Sequence, residues 1–487
     1  MKKVSSAIMP IISIDRQAQR PLHRQIYDGY REAILGGTLR PGQRVPSTRA
    51  LAAELGVSRI PVLTAYAQLL AEGYFESRVG RGTAVSLSLP DKAALAKLRT
   101  VRVPSPQRIA LHPSLPDSIE NMFWPRGLGA FSVGQIAFDG FPFRVWNRLV
   151  TRHCRHTTGH LDYGNPMGLK HLREAIAVYL GAARGVRCVA EQIMIVSGSQ
   201  QALDICIRVL LDPGSRVWME EPGYRFARSA FAVNGCCMVP VPVDDEGLNV
   251  AAGTKLSRKA RAVLVTPSHQ YPLGVTMSAS RRMQLLDWAE QSQSWILEDD
   301  YDSDYRYESL PISSLQGLDR NSRVVYIGTL SKVLFPSLRL GYLVIPDGLV
   351  ERFRVCRVAM DIGPSTFFQA VVADFIREGH FSRHIRRMRS LYHERRNVLI
   401  NSIGNELRPG VEITGAQAGM HLCIIRDGIR DREIADRAAR ANLWLVPLSS
   451  SYAGKAFRPG FILGFGSTRP EEMPRAIRKL RSLLPSR

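Results

Sequence analysis

Long apolar runs are absent from this chain. No stretch approaches the roughly 18 consecutive apolar residues that a membrane-spanning helix needs, so no membrane partner is expected. Asp15, Arg16 and Arg20 interrupt the first apolar stretch before it reaches the length of a secretion signal's core. Paired cysteine spacing is also absent. The seven cysteines (Cys154, Cys188, Cys206, Cys236, Cys237, Cys356 and Cys423) are odd in number and contain no Cys-x-x-Cys. This argues against a disulfide framework and against a zinc site, so a reducing cytoplasm and no metal are expected. Adjacent Cys236 and Cys237 read as packing residues rather than redox partners. Acid is scarce: 43 Asp and Glu face 65 Lys and Arg, for a net charge of +22. Such an excess suits a polyanionic partner and says nothing of fold. Residues 1–110 hold 17 basic and 7 acidic residues, a surplus of +10 in under a quarter of the chain. A solubilising basic linker would leave the same mark.

At 487 residues the chain exceeds one compact core, and two or three domains are expected. Leu22, Ile26, Tyr30 and Ile34 recur at four-residue steps, which predicts an amphipathic helix over 21–35 ended by Gly36-Gly37. Pro41-Gly42 is a turn. Ser47 is placed to cap a second helix through Leu55, with Leu51 and Leu55 as its stripe. After Gly56, Ser58 is placed to cap a third, running through Ile60, Leu63, Tyr66 and Leu70 to Gly73. Residues 75–85 then read as two short strands around a glycine-rich tip containing Gly80.

That order makes a winged helix-turn-helix, whose third helix enters the major groove with its first turn toward base edges. Arg59 lies in that turn. Arg44 and Arg49 are placed to reach DNA from the second helix, and Arg78 and Arg81 from the wing tip. A small protein-interaction module with solvated arginines would share the pattern. The segment resembles the GntR family of regulators through Pro41-Gly42-Gln43-Arg44-Val45-Pro46-Ser47-Thr48-Arg49-Ala50-Leu51-Ala52, Gly56-Val57-Ser58-Arg59 and Leu69-Leu70-Ala71-Glu72-Gly73-Tyr74. The resemblance implies binding to double-stranded promoter DNA. Ile60-Pro61 departs from it, standing where that family commonly has Asn-Thr or Thr-Thr. Proline is tolerated in a first helical turn, but the pair removes donors aimed at DNA. The domain is set at 12–86 and a basic, proline-containing linker at 87–112.

From residue 113 to 487 strand and helix patterns alternate. Apolar runs at 193–196, 262–265, 295–297 and 324–327 predict strands of an α/β domain with a mainly parallel sheet, with ligand groups at the strand ends. Ser197-Gly198-Ser199-Gln200 opens a helix and suits a phosphate. Glu298-Asp299-Asp300-Tyr301-Asp302 offers a carboxylate for a pyridine nitrogen and a phenol two residues on. Ser331-Lys332, with Arg339 seven residues further, offers an amine for a Schiff base beside a phosphate partner. Tyr224 is placed to stack on a ring, and Tyr163 sits on a tight turn. Singly, each of these reads as readily as an ordinary turn or surface lysine.

Their joint order resembles fold-type I aminotransferases across about residues 115–487. The resemblance implies pyridoxal 5'-phosphate as cofactor. It makes Lys332 the Schiff-base residue, Asp299 the pyridinium partner and Tyr301 the partner of the ring oxygen. Ser199, Gln200, Ser331 and Arg339 would hold the phosphate and Tyr224 would stack. Tyr163 would reach the phosphate of a neighbouring subunit, which demands a homodimer. Two departures qualify it. Tyr271-Pro272-Leu273-Gly274 lacks the asparagine of Asn-Pro-x-Gly, leaving His269 or Gln270 to substitute. Ile462-Leu463-Gly464-Phe465 lacks a substrate-carboxylate arginine, leaving Arg458 for the effector.

Together the halves resemble the MocR/GabR type of bacterial transcriptional regulator. That implies a cytoplasmic, domain-swapped homodimer whose promoter binding is tuned by pyridoxal phosphate and by a small amine or amino acid forming an external aldimine. At most residual transaminase activity is expected. An active aminotransferase with a DNA-binding appendage, and a sensor of pyridoxal phosphate that controls vitamin B6 synthesis, stand as alternatives.

Overall fold

The computed structural model describes residues 12, 14–16, 18–78, 82–89, 129–155, 162–307 and 312–485, without the side chain of Arg78. The expected wing-tip residues Gly80 and Arg81, the Arg78 side chain and most of the expected linker lie outside them. Contacts divide the chain into two units, 1–110 and 111–487.

In the first unit, α1 (Leu22–Leu35) buries Ile26, Tyr27, Tyr30 and Ile34. The helix α2 (Thr48–Leu55) is capped by Ser47 Oγ, which accepts from Ala50 N at 3.2 Å, and ends at Gly56 with φ +64°. The helix α3 spans Arg59–Ala71. Its phase differs from the expected stripe. Val62, Ala65, Tyr66 and Leu69 are buried, whereas Ile60, Leu63 and Leu70 are exposed. The helix is apolar around most of its circumference, so the sequence allows more than one phase. Tyr66 fixes it: its ring packs edge-on against Tyr30 and Phe75, and its hydroxyl donates to the Pro46 carbonyl at 3.0 Å. Ser58 occupies the N-cap position of α3, but its side chain makes no capping bond. Strands β1 (Phe75–Arg78) and β2 (Gly82–Val85) pair antiparallel, and Arg44 bridges to Ala84 beside them.

The second unit is built on an eight-stranded sheet. Its strands are β3 (Ile193–Val196), β4 (Arg216–Glu221), β5 (Cys237–Asp244), β6 (Gly247–Leu248), β7 (Ala262–Val265), β8 (Trp295–Asp300), β9 (Val324–Thr329) and β10 (Gly341–Val344), in the order β3-β10-β9-β8-β7-β4-β5-β6. Strands β5, β4, β7, β8 and β9 run parallel; β10 runs antiparallel to both its neighbours. Side chains alternate between the faces, as strand geometry requires. Ile193, Ile195, Tyr326 and Tyr342 enter one core, while Met194, Val196, Val325, Ile327 and Leu343 enter another. The sheet is thus covered on both sides, which accounts for its unbroken apolar runs.

The helices around it are α4 (Phe143–Arg155), α5 (Lys170–Arg184), α6 (Ser199–Leu210), α7 (Arg225–Val233), α8 (Val250–Leu256), α9 (Ala279–Gln291), α10 (Leu315–Leu318), α11 (Val350–Asp361) and α12 (Phe367–Arg377). The long α13 (His380–Leu407) leads to an antiparallel sheet of β11 (Glu412–Thr414), β12 (His421–Ile425), β13 (Val446–Pro447) and β14 (Gly460–Gly464), packed with α14 (Asp431–Arg440) and α15 (Met473–Leu483). Among the described residues no helix is long and apolar enough to cross a membrane.

Two strand details position the site. Strand β8 continues through Glu298, Asp299 and Asp300 instead of stopping at Leu297, so Asp299 is held in a ladder opposite Ile327. Reversed β10 begins with Gly341 opposite both Val196 and Thr329, the last residues of β3 and β9. Segments leaving β3 and β9 and the segment entering β10 therefore meet at one edge.

Candidate functional site

In the first unit Arg44, Ser47, Arg49, Ser58 and Arg59 are all exposed. Arg59 Nε donates to Thr48 Oγ1 at 3.2 Å, which ties the start of α3 to the start of α2. Arg44, Arg49 and Arg59 form no ion pair among the described residues, so their charge faces solvent. The Ser58 hydroxyl is uncommitted, whereas the Ser47 hydroxyl is committed to its cap.

In the second unit Lys332 lies in the turn after β9. Its Nζ donates to the Gly134 carbonyl at 3.1 Å. A Cβ at Gly134 would stand 2.6 Å from that nitrogen, and the residue's φ of +81° favours glycine there. Burial lowers the Lys332 pKa, opposed by the charges of Asp302 and Asp299. Asp299 is buried and its Oδ1 has no hydrogen-bond partner. Burial first, then the neighbouring Asp300, Glu220 and Asp302, push its carboxyl up to about 7. Glu220, on β4, which β7 separates from β8, is also raised to about 7 by burial, and Thr266 Oγ1 donates to it at 2.7 Å.

Tyr301 approaches His269 Nδ1 at 3.0 Å and donates to the His269 carbonyl at 3.0 Å. His269 Nδ1 lies 3.1 Å from Asp302 Oδ1. Of the two substitutes expected for the missing asparagine, Gln270 spends its amide nitrogen on Glu220, the Pro222 carbonyl and the Tyr271 carbonyl. His269 stays beside Tyr301. His421, at the start of β12, completes the group, with ring centroids 4.9 Å from His269. Its Nε2 lies 3.2 Å from the Pro272 carbonyl, and burial lowers its pKa to about 3. Ligand-type atoms of His269, Asp302 and His421 all lie within 4.8 Å of one another.

At the other end, Gly198 precedes α6 with φ +104°. The Arg339 guanidinium lies against it, with Nη2 3.1 Å from where a Cβ would stand. Ser199 and Gln200 open α6, and Ser331 is buried beside Lys332. Gln200 lies beside the Tyr224 hydroxyl, yet its Nε2 has no well-aligned partner. Tyr224 packs edge-on against Tyr271, with centroids 5.6 Å apart.

Two expected residues stand elsewhere. Tyr163 is 83% exposed, and its turn lines a small surface pocket with residues 362–366. Arg458 is half exposed and forms a surface ion pair with Glu412. Both β11 and β14 pair with β12 at Ile425, opposite Glu412 and Gly460, and this brings the two side chains together. Arg458 therefore does not join the Lys332 group. Sequence reasoning missed Gly134, Glu220 and His421. Asp302 was given no role, although it ends the run Glu298-Asp299-Asp300-Tyr301-Asp302.

The description "Aminotransferase class I and II" matches residues 130–479, and "Bacterial regulatory proteins, gntR family" matches 22–85. The chain is 41% identical to the probable rhizopine catabolism regulatory protein MocR of Rhizobium meliloti, over 97% of this chain and 95% of that protein. It is 30% identical to the HTH-type pyridoxine biosynthesis transcriptional regulator PdxR of Corynebacterium glutamicum, over 94% of each. Among solved structures, the kynurenine aminotransferase of Pyrococcus horikoshii in complex with PMP is 29% identical with a TM-score of 0.68, covering 74% of this chain and 91% of that one.

Proposed function

Since the chain belongs to the MocR-type transcriptional regulators, which join a GntR DNA-binding module to an aminotransferase class I and II domain, we propose that pyridoxal 5'-phosphate and a small amine or amino acid at Lys332 set its affinity for promoter DNA. The observation that carries this reading is the buried, unpartnered Asp299 Oδ1, whose charge acts on the nearby Lys332 amine. A protonated pyridine nitrogen is the partner such a carboxylate lacks, so the residues fit the cofactor. Arg339 and the first turn of α6 would hold its phosphate. Ser199, Gln200 and Ser331 would add donors, Tyr224 would cover the ring, and Tyr301, fixed by His269, would bond its phenolic oxygen.

Bound there, the cofactor supplies an aldehyde that condenses with amines. Asp299 would keep a proton on the pyridine nitrogen, and Lys332 would yield its place to an incoming amine. The exposure of Tyr163 suits a contact with a second copy of the chain, hence a homodimer. An effector alters DNA affinity only by binding two states of the protein unequally. A regulator of promoters works in the cytoplasm.

Visible absorbance of the purified protein tests the pocket, with Lys332→Ala as control. A lysine-dependent band that one amine shifts, together with a change in DNA affinity, is expected. No band after adding the cofactor would overturn the proposal. The relationship to PdxR favours a second reading, in which the cofactor alone is the signal. DNA affinity would then respond to pyridoxal phosphate without any amine. Sustained keto-acid release would make the chain an active transaminase.

A further inference from the structure

The exposed face of α3 is poor in hydrogen-bonding groups. Arg59, Ile60, Leu63, Thr64 and Ala67 face solvent, with Ile60 73% and Leu63 44% exposed. Pro61 has no N–H. The Thr64 hydroxyl is turned inward and donates to the Ile60 carbonyl at 3.1 Å. Arg59 and the uncommitted Ser58 hydroxyl at the N-cap thus hold the donors at the start of this face, and the side chains beyond them offer hydrocarbon. Burying such side chains is favourable only where the partner presents apolar surface.

We infer that Ile60 and Leu63 read thymine methyl groups in the major groove, and so act as specificity-determining residues for the operator. The inference rests on the DNA-binding reading of this unit. The thymine methyl is the apolar group that base pairs present in that groove. The exposed Arg44, Arg49 and Arg59 of this unit, which form no ion pair among the described residues, and the surplus of +10 in residues 1–110 complement a duplex rather than an apolar protein partner. A contact of this kind discriminates thymine from cytosine and adenine without donors, which is what the Ile60-Pro61 pair leaves available.

The test uses the full-length protein. Sites are selected from random duplex DNA, and each thymidine of the recovered site is then replaced by deoxyuridine, which deletes only the methyl. One or two positions per half-site are expected to lose about fourfold in affinity each, the worth of one buried methyl. Ile60→Asn should erase the loss at one of them and change the selected base there. If every uracil substitution leaves affinity unchanged at a well-defined site, the methyl reading is wrong while DNA recognition stands. If no sequence is enriched, DNA recognition itself fails and this inference falls with it.

Discussion

At Asp299, burial and three neighbouring carboxylates act in one direction. Together they bring the carboxyl up to about 7 in the cofactor-free protein. The unfolded chain releases that proton near pH 4. Between those values the folded state holds a proton that the unfolded state has lost, so this residue's contribution to stability fades as pH rises through the window. The slope is at most ~1.4 kcal/mol per pH unit. Glu220 and Glu298 act in the same sense, whereas the depressed His421 acts in the opposite one. Thermal unfolding of the wild type minus that of Asp299→Asn isolates the single residue. Without cofactor, the difference should move against the wild type from pH 4 to pH 7. A difference independent of pH would mean that Asp299 is already ionised.

Capping separates two serines that look alike in the sequence. Ser47 closes the first turn of α2, so Ser47→Ala should loosen that helix by ~1 kcal/mol. Ser58 makes no such bond, and Ser58→Ala should cost α3 only a few tenths. Hydrogen exchange at the amides of each helix reads the contrast, and equal effects would contradict it. The same scale shows what was legible. The four strand runs and the three N-terminal helices were readable because each is a contiguous pattern. The phase of α3 was not, because Tyr66 finds its partners on α1 and β1. The reach of β8 was hidden too: Glu298, Asp299 and Asp300 look like a loop, and pairing with β7 at Glu298 and with β9 throughout makes them a strand. Likewise Lys332, Asp299, Gly198 and Arg339 sit in runs that sequence order exposes. His421 reaches His269 from more than a hundred residues away and carries no local signal.

For the whole molecule, the salt dependence of DNA binding counts the phosphates that its basic side chains neutralise. Arg59→Ala should reduce the slope of log affinity against log salt by about 1 if its guanidinium meets a phosphate. An unchanged slope with altered sequence preference would assign it to a base edge instead. Affinities measured across a range of salt concentrations decide between the two.

The reversed strand β10 has a mechanical result. The turn that carries Lys332 and the residue Arg339 belong to a single short segment between β9 and β10, pinned at both ends by the ladder. In the proposed roles, the anchor for one end of the cofactor and the clamp for the other cannot loosen separately. A distortion of that segment opens both grips at once, so retention would be a latch with two positions rather than a graded hold.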